Sequence, residues 1–117
     1  MRKFDFSYDK ENDDLFLYNK KSKSKGSIEF GNLVLDFNTK KELVGIEIMD
    51  ASKFISDIIG NGGISKQMLE NLQECKIEIK SYKNQLMIKL FLIAKKKEIP
   101  ATLTVPNITE SPALAYT

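Results

Sequence analysis

The stretch Leu43-Val44-Gly45-Ile46-Glu47-Ile48-Met49-Asp50-Ala51-Ser52 decides how this chain is read. It begins as a strand and runs directly into a helix. Side chains alternate across a strand, so Val44, Ile46 and Ile48 are expected on one face and Leu43, Gly45, Glu47 and Met49 on the other. At Asp50 the period changes. Ala51, Phe54, Ile55, Ile58 and Ile59 recur at helical intervals and form one apolar stripe. Asp50 is the expected N-cap, its carboxylate accepting backbone N–H groups of the first turn. Met49 and Phe54 hold the two positions of a hydrophobic staple around it. Gly60 is the expected stop, because glycine tolerates the left-handed backbone of a helix C-terminus.

Upstream of this stretch the pattern is strands. Phe4, Phe6 and Tyr8 alternate with Lys3, Asp5 and Ser7, and Leu15 to Tyr18 returns after the polar turn 9–14. Ser27 to Phe30 and Leu33 to Phe37 flank Gly31-Asn32, and the loop 38–42 leads into Leu43. Residues 1–50 are therefore read as a five-strand antiparallel meander, followed by a helical connection over 51–73. That connection has a flexible joint at Asn61-Gly62-Gly63 and a second short helix starting at Ser65.

Residues 74–106 are read as a three-strand meander. Cys75, Ile77 and Ile79 alternate with charged residues, which gives a strand with one wet face. Leu86 to Ala94 is apolar on both faces apart from Lys89, as an interior strand is. Ile99, Ala101, Leu103 and Val105 form the last strand, and Pro100 and Pro106 mark it as an edge, since neither can donate to a ladder. Residues 107–117 form a tail without a clear period. The whole is an α+β domain, mostly antiparallel sheet of about eight strands, with the two helices packed on one sheet face. Lys3 to Tyr8 and Lys76 to Tyr82 are alike, and each precedes a turn, an apolar strand and a lysine cluster. This reads as a weak internal repeat.

Composition narrows the chemistry. With 117 residues the chain has enough length for one domain with its own core. The net charge of +2 argues neither for nor against nucleic acid, but Arg2 is the one arginine, which weakens a nucleic-acid reading. There is no histidine, so the commonest general base and metal ligand are missing. Cys75 alone cannot form an internal disulfide, and its alternation places it in the core as an inert apolar residue. No signal-peptide pattern opens the sequence, and a cytoplasmic location is the expectation. No apolar run approaches the ~20 residues of a membrane span.

Phe6-Ser7-Tyr8-Asp9, Asp13-Asp14-Leu15, Leu33-Val34-Leu35-Asp36 and above all Leu43 to Ser52 resemble the domain of unknown function 2283 family. The resemblance covers about residues 4–52. It implies a small β-meander ending in a helix, mostly found in prokaryotes, and it brings no established activity. From what is suspected of some members, it also implies a small toxin-like protein as partner. The C-terminal sheet lies outside the resemblance and is read from pattern alone.

Several residue groups could carry function. Asp9, Glu11, Asp13 and Asp14 hint at a calcium loop, but Asp14 and Lys20 stand where that loop needs glycine and glutamate. A solvated turn with local backbone bonds is the better reading. Asp36 and Glu47 share a sheet face as paired carboxylates, and Gly45 opens space beside them for a close backbone or a partner's side chain. Gly60 to Gly63 followed by Ser65-Lys66 has the wrong order for a phosphate loop. Lys20, Lys21, Lys23 and Lys25, with Lys95, Lys96 and Lys97, form two basic loops that would make one patch if the two halves are related. No metal or cofactor is expected. The expected function is a non-enzymatic interaction module that self-associates, as a dimer through sheet edges or helices. The alternative is a binder of nucleic acid or a small anionic ligand through the lysine loops.

Overall fold

The computed structural model describes residues 1–60, 64–82, 84–95 and 97–106. The joint Asn61-Gly62-Gly63, Lys96 and the tail 107–117 lie outside the described residues. The elements in order are β1 (Arg2–Asp9), β2 (Asp14–Tyr18), β3 (Gly26–Phe30), β4 (Leu33–Phe37), β5 (Leu43–Ile48), α1 (Ala51–Ile59), α2 (Lys66–Glu70), β6 (Leu72–Tyr82), β7 (Gln85–Ala94) and β8 (Lys97–Pro106). The strands form one eight-stranded sheet in the order β3-β4-β5-β2-β1-β6-β7-β8, and every pairing is antiparallel. The sheet is mostly antiparallel and carries two short helices, as expected. The first five strands, however, are not a simple meander. β5 is inserted between β2 and β4, because Leu15 and Leu17 pair with Ile48 and Ile46 across that seam. The lysine loop after β2 therefore passes the ends of β5 and β4 to reach β3 at the edge.

The sheet curls around one hydrophobic core. Leu15, Leu17, Leu35, Ile46 and Ile48 from the first half meet Cys75, Ile88, Leu90 and Leu92 from the second, all with essentially no exposure. Burial of this apolar surface is the main stabilising contribution. Helix α1 follows β5 but lies against β8, five places along in the strand order. It buries Ala51 and Ile55 there. Gly60 closes it at φ 85°, donating its N–H to Ser56 O, as its position predicted. Ser65 caps α2 by accepting the Met68 N–H at 3.2 Å. β7 lies between β6 and β8, one face buried and the other, with Met87, Phe91 and Ile93, half-buried.

Two local expectations are corrected. The first concerns the strand that organises the chain. Gly45 pairs with Asp36 but Leu43 pairs with Phe37, so the register slips by one and Val44 is the extra residue of a β-bulge. Leu43 therefore joins the core at 3% exposure, while Val44, although buried, stands outside the core cluster. The second concerns the helix start. Asp50 is left-handed at φ 50°, and its side chain makes no capping bond. Asp13 does that work from the β1–β2 turn. Ser52 N–H donates to both its carboxylate oxygens at 3.2 Å, Ser52 Oγ donates to Oδ2 at 2.7 Å, and Ala51 N–H donates to its backbone carbonyl at 2.9 Å. Met49, expected to staple the turn, is 37% exposed.

Among the described residues, no helix is long and apolar enough to cross a membrane.

Candidate functional site

Alternation from the core positions fixes what lies on the convex face of the first half. Asp5, Ser7 and Asp9 come from β1, and Asp14, Phe16 and Tyr18 from β2. Gly45 and Glu47 come from β5, Val34 and Asp36 from β4, and Ser27 and Glu29 from β3. Asp36, Gly45 and Glu47, singled out from sequence, are thus brought together. Ser27 Oγ donates to Asp36 Oδ1 in a short bond. Gly45 leaves room for this carboxylate, since a Cβ would stand 2.8 Å from Asp36 Oδ2 and force it to shift. The missing side chain lets the Asp36 carboxylate lie across β5.

Charge crowds on this face. Glu47 has its pKa pushed up to about 7, first by a hydrogen bond with the Asp14 carboxyl, then by burial and the charges of Asp14 and Asp36. Asp14 Oδ1 is buried with no partner among the described residues. A proton held on Glu47 gives the pair the donor it otherwise lacks. Phe16 stands in the middle of the face, 36% exposed, with its ring 5.5 Å from that of Tyr18. Sequence reading did not single out Phe16, Tyr18 or Asp14 here. Their signal was the alternation of β2, in which Leu15 and Leu17 take the core and leave the intervening residues outside.

The lysines do not form one patch. Lys20 reaches Asp5 at 3.8 Å, and its loop, with Ser22 and Ser24, borders a shallow depression of about 290 Å³ with Phe16, Asp36, Val44 and Gly45. Lys21, Lys23 and Lys25 are exposed on that same loop. Lys95 and Lys97 lie beside α2 at the opposite end of the sheet. The reason is the seam. β1 and β6 are antiparallel neighbours, so hairpins β1–β2 and β6–β7 flank it in opposite directions, and their equivalent loops emerge at opposite ends. Lys96 lies outside the described residues.

The acids of the β1–β2 turn serve architecture. Asp9 accepts from Asn12 N–H at 3.2 Å and from Asn12 Nδ2 at 2.7 Å. Asp13 is 7% exposed and receives the Tyr8 hydroxyl at 2.6 Å in addition to Ser52. Burial pushes its carboxyl upward, but the hydrogen bonds from Tyr8 and Ser52 outweigh that and hold it below its ordinary value. Burial, and then the same contact with Asp13, push the Tyr8 phenol well up. Cys75 is fully buried, and burial, with a smaller push from Glu74, raises its thiol to about 12.

The two edges of the sheet differ. β3 and β4 are joined by the two-residue loop Gly31-Asn32, with Gly31 at φ 52°. Such a loop closes on a hydrogen-bonded pair, here Phe30 with Leu33, so the backbones of Ser27 and Glu29 face away from β4. On β8, Pro100 and Pro106 share one phase of the ladder with Thr102 and Thr104. Proline has no N–H, so that phase faces the open side.

Comparison with known proteins places these residues in a family. Residues 5–52 match the family model described as protein of unknown function DUF2283. An uncharacterized protein of Methanocaldococcus jannaschii is 36% identical over 100 residues, 83% of this chain and 80% of that protein. A protein of Methanosarcina mazei named as a putative hypoxanthine phosphoribosyltransferase is 29% identical over 94 residues, 79% of this chain and 71% of its own length. No solved structure matches. The matched range spans Tyr8, Asp13 and Ser52 and the bulge of β5 beside Asp36, and with the 36% identity to the Methanocaldococcus jannaschii protein the chain belongs to the DUF2283 family of proteins of unknown function.

Proposed function

We propose that the protein is a non-enzymatic interaction module that self-associates, two copies pairing antiparallel through their β3 edges. The observation that carries this reading is the contrast between the two edges. β8 has prolines on its open side, a common device against strand addition, whereas β3 leaves the Ser27 and Glu29 backbones open. A two-fold axis near Ile28 would set Ser27 opposite the partner's Glu29, so the like charges do not face each other. Pairing there would also join the two Phe16-bearing faces side by side. Sedimentation of the chain over a range of concentrations tests the idea. The expected result is a dimer that Glu29→Pro converts to a monomer without unfolding, because the lost N–H faces outward. A monomer at every concentration, or a dimer unchanged by Glu29→Pro, overturns it.

The alternative, a binder of anions through lysines, keeps only the Lys20–Lys25 loop, since Lys95 and Lys97 sit at the far end. Binding of single-stranded nucleic acid that falls steeply with salt would favour it.

A further inference from the structure

The end of the curled sheet at Arg2, Phe37, Leu43 and Leu86 opens as a mouth of about 330 Å³. Phe37, Leu43 and Leu86 belong to the core, so the floor of the mouth is apolar and continuous with the interior. The rim is cationic. Arg2, the only arginine of the chain, lies with its guanidinium 5.5 Å from the Phe4 ring centroid and donates one N–H to Leu43 O at 3.4 Å. Among the described residues it makes no ion pair, and its remaining N–H groups form a fork suited to a planar carboxylate. Lys41 stands on the same rim, placed there by a left-handed backbone at φ 62°. Among the described residues the one acid on the rim, Glu42, accepts from Asn38 Nδ2 at 3.1 Å within its own loop.

We propose that this mouth binds a small amphipathic carboxylate, its carboxylate on Arg2 and Lys41 and its apolar body against Phe37, Leu43 and Leu86. An apolar floor with a few convergent polar groups is the usual form of a small-molecule site, and the open end of a curled sheet is a usual place for one. The proposal is independent of self-association, since β3 contributes nothing to the mouth.

The test is an NMR titration of the isotope-labelled full chain with octanoate, with octylamine as the cationic counterpart. Saturable shifts centred on residues 41–43, 79–81 and 86 are expected, with octylamine weaker by about tenfold or more. Arg2→Gln, at an exposed side chain that can be lost without unfolding, should weaken octanoate by about fivefold or more, and Lys53→Gln, at an exposed position of α1, should leave it unchanged. Equal affinity for the two probes, no effect of Arg2→Gln, shifts centred elsewhere, or no saturable binding would each overturn the proposal.

Discussion

The two halves of the sheet are built to different standards. Strands β6, β7 and β8 run 11, 10 and 10 residues, with long ladders and one irregularity near Leu72. Their outer face mixes Lys76, Glu78, Lys80 and Lys89. Strands β2 to β5 run five or six residues, are interrupted by the bulge at Val44, and crowd Asp14, Glu47 and Asp36 around Phe16. The second half is a regular wall that closes the core and ends in a proline-marked edge. The first half holds unfavourable charge on its surface and leaves an open edge. Proteins often keep such costs where they serve a purpose other than stability, and the proposed self-association rests on this contrast.

Three substitutions probe that contrast. The largest effect is expected at Asp13, the buried fastener of the first half. Asp13→Ala removes the cap of α1 and strands the Tyr8 hydroxyl and the Ser52 N–H, and urea unfolding should show a loss of about 3 kcal/mol. Because the folded carboxyl titrates below its ordinary 3.8, its contribution is present above that value and is lost as the pH falls below it.

Next is Gly45→Ala, whose new Cβ meets Asp36 Oδ2 at 2.8 Å. A loss of about 1–2 kcal/mol is expected. The paired change Asp36→Ser should restore most of it, and additive losses would break the account of this contact.

The smallest is Glu47→Gln, and it has the opposite sign. The folded pKa of Glu47 is raised from 4.5 to about 7, so the folded state holds the proton more tightly. Its contribution is most favourable below pH 4.5 and is lost as the pH rises through about 7. The variant should be more stable than the parent at alkaline pH by about 1 kcal/mol, a figure discounted for partial exposure, and equal to it in acid. Equal stability at all pH values would mean that the carboxylates of this face do not crowd one another.

Much of the fold was legible, and for local reasons. The elements follow from alternation and helical spacing. Gly60 and the two prolines of β8 act through their own backbone, and Ser65 through a side chain that reaches only three residues along. What was illegible depends on partners distant in sequence. Nothing local says that β5 pairs with β2, which is why the meander reading failed. The bulge at Val44 exists only against Phe37 on β4, and it reversed the faces of Leu43 and Val44. Asp50 had the right position for a cap, but the chain supplied Asp13 across 39 residues instead. Asp36, Gly45 and Glu47 were legible as one face because they follow the pleat. Asp14 and Phe16, which give that face its charge pattern and its aromatic centre, come from across a strand pairing that the sequence does not announce.

The most direct test of the contrast between the edges is residue-resolved amide hydrogen exchange at low and high protein concentration. Antiparallel pairing through β3 predicts that the Ser27 and Glu29 amides, which face away from β4, become protected as concentration rises. The amides of Thr102 and Thr104 on β8 should exchange rapidly throughout. Ser27 and Glu29 exchanging freely at every concentration, or protection appearing on β8 instead, would contradict the account.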